Sequence, residues 1–134
     1  MTDINVIEPD GWLAPRGYAN GIAATGRFIS IAGQIGWNPM NGNIESPDFA
    51  QQAAQALRNI VAVLERAGAR PEHLVRMTWF ITDRAAYVSA RTAIGDAYRE
   101  IIGRHFPAMS VIIVSGLIEA DALVEIEATA VLPQ

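Results

Sequence analysis

The run from Arg104 to Val131, RHFPAMSVIIVSGLIEADALVEIEATAV, limits the possible folds more than any other part of the chain. Residues 122–131 alternate with the period of a strand. Ala122, Val124, Ile126, Ala128 and Ala130 share one face, and Leu123, Glu125, Glu127, Thr129 and Val131 the other. Residues 111–114 just before it are apolar at every position, and a turn-like segment, 115–121, joins the two. A strand apolar on both sides needs cover on both. Glu125 and Glu127, two residues apart, point the same way. On a solvent face they are ordinary surface charges; under cover, at least one needs a partner or a task.

The rest of the chain supplies cover for one side. Residues 4–7 read as a short strand, and 18–25 and 27–35 as two strands joined at Thr25-Gly26 in a hairpin. Residues 36–43, GWNPMNGN, are turn-forming. A helix starts with Ser46 as its cap and Pro47 at its first position. It runs to about Ala67 and stops at Gly68. Its apolar stripe is Phe49, Ala53, Leu57, Ile60 and Leu64; its polar face is Gln51, Gln55, Arg58, Asn59 and Glu65. After a connector, 70–73, residues 74–82 form a strand. Asp83 caps a second helix reaching about Ile102, weakened at Gly95 and ended by Gly103. Its stripe holds Tyr87, Ile94, Tyr98 and Ile101. Helices that alternate with strands are crossovers, and crossovers of one hand place both on the same sheet face. The other face is then bare, which predicts an obligate oligomer in which a second copy covers it.

Composition narrows the function. The chain has 134 residues, enough for one domain with a real core. It is 51% hydrophobic and 18% charged, with a net charge of -4 and no run of cations, so it lacks the electrostatic footprint of a nucleic-acid binder. With no cysteine there is no disulfide, thiol nucleophile or thiolate metal site, and two distant histidines make no zinc pattern. No phosphate-binding glycine loop and no serine-triad signature occurs. The start, MTDINVIEPDGW, is unlike a signal peptide, and no apolar run is of membrane-spanning length. The expectation is a soluble cytoplasmic protein without contact to membrane.

Several segments, in this order and spacing, resemble the Rid family, the reactive intermediate deaminases also called YjgF-like proteins. They are Gly33-Gln34-Ile35 followed by Asn38-Pro39; Leu57, Asn59 and Ile60; residues 75–83; Phe106-Pro107-Ala108; and Val124-Glu125-Ile126-Glu127-Ala128. The resemblance spans nearly the whole chain and implies a single domain over residues 1–134. It implies a chorismate-mutase-like α+β fold, a mixed sheet with two helices on one face. It also implies a homotrimer formed through the other face, with ligand clefts between subunits. The activity implied is hydrolysis (deamination) of reactive imines and enamines, with no cofactor and no metal. An acid orients water on the imine carbon, and an arginine directly after Phe-Pro-Ala grips the substrate carboxylate as a bidentate fork.

Carried onto this chain, the resemblance puts Glu125 at the acid's position, Tyr18 at a cleft tyrosine, and Gly33 where the backbone approaches the ligand. Ala32 replaces a serine before Gly33, and Gly95 falls where the second helix would carry an asparagine. The arginine position is Met109, and the spacing from it to Glu125 is one residue longer than the family pattern. Gln34 and Trp37 adjoin the same cleft; Trp37 either lines it or packs its own loop down. Arg104 and His105 are helix-end cations favoured by the dipole, or they replace the missing positive charge. Met109 is core, or an apolar pocket wall. Two functions follow. One is an imine or enamine hydrolase that does not use standard amino-acid-derived imines. The other is a non-catalytic trimer that binds a small metabolite in the same clefts. A third, ribonuclease activity attached to some relatives, is disfavoured by the acidic charge.

Overall fold

The computed structural model describes residues 4–134. Strands β1 (Ile4–Ile7) and β2 (Gly21–Ala24) form a two-stranded antiparallel ribbon. Strands β3 (Arg27–Ile35), β4 (Leu74–Ile81), β5 (Ala108–Ile113) and β6 (Val124–Leu132) form the main sheet, in the order β3-β6-β4-β5. Strand β6 is antiparallel to both β3 and β4, and β5 is parallel to β4, so the sheet is mixed. The expected hairpin at Thr25-Gly26 is not formed: β2 pairs with β1, and β3 turns away to pair with β6. Gly26 sits at φ +147, and a Cβ there would lie 2.3 Å from the Leu132 carbonyl oxygen, so the linker is a close crossing over the end of β6.

Helix α1 (Phe49–Arg66) links β3 to β4; α2 (Arg84–Ser89) and α3 (Arg91–Ile101) link β4 to β5. Helix α1 packs against β3, β6 and α3, which puts the helices on one face. The apolar stripe of α1 is fully buried at Ala53, Leu57, Ile60 and Leu64. Burial of each of the larger side chains contributes about 1.5–3 kcal/mol. Two sequence expectations need correction. The cap of α1 is Asp48, whose carboxylate accepts from the Gln51 amide at 3.0 Å, while the Ser46 hydroxyl, two residues earlier, accepts from the Asp48 amide. A carboxylate two residues nearer the apolar stripe reaches the N–H of the third helical residue, in the first turn, which Ser46 cannot. Asn59 is not on the polar face. It is buried and donates to the Trp37 carbonyl at 3.1 Å, fixing the loop after β3 to α1.

The second helix is divided. Asp83 caps α2 as expected, accepting from the Ala86 amide at 3.1 Å, but the backbone leaves helical geometry at Ala90 and restarts at Arg91. The kink lets Tyr87 meet Phe49 edge-on, with ring centroids 6.1 Å apart, while Ile94 and Tyr98 turn into the core. Tyr98 donates to the His105 carbonyl at 2.7 Å and stacks on Phe106 at 5.3 Å, which anchors the loop leading into β5.

The alternation read in residues 122–131 is reproduced. Val124, Ile126, Ala128 and Ala130 are buried towards the helices, while Glu125 and Thr129 are half-buried and Glu127 exposed on the opposite face. Strand β5 starts three residues earlier than expected, at Ala108, and is the sheet edge. The greasy strand is therefore uncovered in the single chain, with Ile113 55% and, across the sheet on β3, Phe28 66% exposed.

Candidate functional site

Residues directly opposite on neighbouring strands point to the same side of a sheet. Glu125 is paired with Phe80, and Phe80 with Ile112, so these three lie on the face away from the helices. Met109 is paired with Met77, and Met77 with Ala128, which is buried towards the helices. Glu125 and Met109 are thus on opposite faces of one sheet, with β4 between their strands.

Gly33 stands against Glu125. A Cβ built on Gly33 would lie 2.5 Å from Glu125 Oε2 and 2.7 Å from its carboxyl carbon. The glycine leaves room for the carboxylate to lie over the backbone of β3, beside a register shift between Ile31 and Gln34. No described cation forms an ion pair with Glu125. A half-buried carboxylate resting on exposed peptide backbone is placed to accept a proton from water or to orient it.

The neighbouring candidates divide into two groups. Ala32 and Gln34 flank Gly33. Gln34 donates to the Ala32 carbonyl at 3.2 Å and accepts from the Trp37 indole at 3.3 Å. Trp37 also bridges to Ile44 across its loop, so much of its bonding ties that loop together. The second group gathers at the start of β5. Ala19 donates to the Pro107 carbonyl at 3.0 Å and pairs in parallel with Ala108, which sets Tyr18 level with Pro107 at the start of β5. His105 spends a ring nitrogen on the Leu74 carbonyl at 2.7 Å, and Arg104 is exposed. One chain therefore joins Ala32, Gly33, Gln34, Trp37 and Glu125, and separately Tyr18, His105 and Met109.

Met109 packs against the core edge and helps line a pocket of 270 Å³ between α3 and β5. Arg16, Trp79, Tyr87, Arg91, Gly95 and Arg99 also line it. Of these, the sequence marks Tyr87 as part of a helical stripe and Gly95 as a weak point of the helix and a departure from the family pattern. The signal for Arg91 and Arg99 is spacing: with Tyr87 and Gly95 they recur every four residues, which puts them on one stripe, whereas nothing in the sequence points to Arg16.

Fold and sheet face define a chorismate-mutase-like α+β protein with one uncovered sheet face. Comparison with known proteins agrees. The family described as Endoribonuclease L-PSP matches residues 12–132. A RutC family protein of Pyrococcus horikoshii is 36% identical over 113 residues, 84% of this chain and 85% of the relative. The 2-iminobutanoate/2-iminopropanoate deaminase of Homo sapiens is 31% identical over 105 residues, 78% of this chain and 73% of the relative. Among solved structures, the Rid family protein YyfB from Yersinia pestis superposes with a TM-score of 0.86 at 32% identity, covering 98% of this chain and 100% of that one. TdcF of E. coli with bound serine superposes with a TM-score of 0.68 at 30% identity, covering 96% and 98%. The chain belongs to the Rid, or YjgF-like, family. No helix among the described residues is long and apolar enough to cross a membrane.

Proposed function

We propose that this protein hydrolyses reactive imines or enamines in clefts between the subunits of a homotrimer, with Glu125 as the acid that orients and deprotonates water. The observation that carries the reading is the seat of Glu125, a carboxylate laid over Gly33 on the sheet face that the chain's own helices leave uncovered. The imine carbon is already electrophilic, so the chemistry needs water held in line and a proton acceptor. The human relative is named for imine deamination, which supports this class of reaction.

The homotrimer completes the site. A cleft needs Glu125 and the Met109 side together, and a single chain sets them on opposite faces. Packing the open face of one subunit against the β5 edge of the next brings the two groups to one place and covers the exposed apolar residues of both. The substrate is not a standard amino-acid-derived imine, because Met109 offers no charge to a carboxylate on the reacting carbon. A charge-assisted contact of about 1.5–3 kcal/mol is missing there. Ribonuclease activity is not carried over: the net charge is -4, and the cations are scattered singly along the chain.

The test is imine hydrolysis by purified full-length protein. Imines are generated in situ from amino acids and from other amines, and loss is followed against a trapping reagent. Glu125→Gln is expected to abolish turnover. Turnover unchanged in Glu125→Gln overturns the assignment. Binding without turnover in the wild type moves the protein to a non-catalytic metabolite binder.

A further inference from the structure

We infer that the pocket between α3 and β5 grips an acidic group at the far end of the substrate, using Arg91 and Arg99 in place of a cation at position 109. The substrate is then an imine or enamine with an apolar body of roughly aromatic size that ends in a carboxylate. The inference rests on the reading that the cleft beside Met109 receives the imine.

Charge comes first. All ten cationic side chains are arginines, and three of them, Arg16, Arg91 and Arg99, line this one pocket in a protein of net charge -4. Like charges gathered around a concavity repel one another unless an anion enters. Among the described residues, Arg16 and Arg91 have no carboxylate within ion-pair distance.

Arg99 is positioned. Asp96 accepts from its Nη2 at 2.7 Å, which orients the guanidinium along the helix surface. The same group lies over Gly95, where an added Cβ would come within 3.3 Å of Nη1. Glycine inside a helix lowers helix stability. At position 95 it clears the ground between Arg91 and Arg99, which bracket it at intervals of four residues. A guanidinium fork held in this way suits a planar carboxylate.

The wall supplies an independent sign. Trp79 is only 3% exposed, yet its indole N–H is buried without an acceptor. Buried donors are almost always satisfied. Trp79 lines the same pocket, so the one unsatisfied buried side-chain donor among the described residues belongs to its wall. Phe106, Met109 and Val111 make the remaining wall apolar, which fits an organic body rather than a bare inorganic ion.

The experiment is calorimetric titration of full-length protein with 3-phenylpropanoate and with its uncharged amide at low salt. The acid is expected to bind at least tenfold more tightly than the amide. Arg99→Gln removes that preference and Arg91→Gln reduces it. Gly95→Ala raises Tm through better helix propensity while lowering affinity for the acid severalfold. Equal binding of acid and amide, no binding of either, or a preference that survives in both arginine variants overturns the inference. Glu125→Gln separates it from the catalytic reading. Tight acid binding without turnover of any imine sinks the catalytic reading and leaves the anion pocket. Glu125-dependent turnover of uncharged imines with no acid preference does the reverse.

Discussion

Gly33 and Glu125 occupy one space between them: a single methyl group on the glycine would stand 2.5 Å from the carboxylate oxygen. Gly33 does not have a positive φ, so the backbone accepts alanine and only the acid is displaced. Gly33→Ala is therefore expected to change stability by less than about 1 kcal/mol, because the side chain that must move is flexible. Turnover is expected to fall by about a hundredfold, since an acid shifted by an ångström no longer aligns water. Chemical denaturation alongside the trapping assay checks both. Unchanged turnover would separate the acid's position from its function.

Much of this was legible in the sequence, and the reason is periodicity. The buried set of β6 and the stripe of α1 follow directly from alternation at two residues and at three to four. What depended on partners distant in sequence was not legible. Gln52 is buried, yet it follows polar Gln51 and offers no pattern of its own. Its amide donates to the carbonyls of Ser46 and Asp121 and accepts from the Leu123 amide at 2.8 Å, contacts that span up to 71 residues. The β2–β3 hairpin failed for the same reason: two strands adjacent in sequence each found a better partner elsewhere. Of the site, the motif named Gly33 and Glu125 separately, and only the pairing of β3 with β6 sets one against the other. The arginines of the α3 pocket emerged only once Ala90 had broken the helix and turned its stripe towards β5.

Gln52 ties the start of α1 to the loop before β6, and its loss has a definite cost. Gln52→Ala takes the partner from the part-buried Leu123 N–H and from the carbonyls of Ser46 and Asp121, and opens a cavity beside Gly36, whose missing Cβ would touch the Gln52 backbone at 2.6 Å. The expected destabilisation is about 3 kcal/mol. Urea denaturation measures it. A loss below about 1 kcal/mol would mean that water replaces the amide.

Strand β5 carries Val111, Ile112 and Ile113 along the sheet edge, all more than two-fifths exposed in the single chain. An exposed apolar edge strand invites a partner. Sedimentation at micromolar concentration is expected to give the mass of three chains. Ile113→Asp should release monomer and lose turnover with it. A wild-type mass of one chain contradicts the shared cleft.

Burial pushes the Tyr98 phenol well above its ordinary value of 10.0. The group stays protonated in the fold while the unfolded chain ionises. The native state then holds the extra proton above pH 10, so stability present below that value declines as pH rises through it. Tm is expected to drop steeply above pH 10, and Tyr98→Phe to flatten that drop while lowering Tm at neutral pH. Equal alkaline slopes in the two proteins would assign the effect to another group.

In the proposed trimer each site takes Glu125 from one subunit and the Met109 side from its neighbour. Mixed oligomers test it most directly. Glu125→Gln lacks the acid, and Met109→Trp fills the pocket, so each alone is expected to be inactive. Dissociated and reassembled together in equal amounts, they place an intact acid opposite an intact pocket in about a quarter of the sites, by independent choice of the two neighbours. Recovery of about a quarter of wild-type turnover is expected. No recovery in oligomers shown to be mixed would contradict the shared site, because a site complete within one chain is broken in both variants.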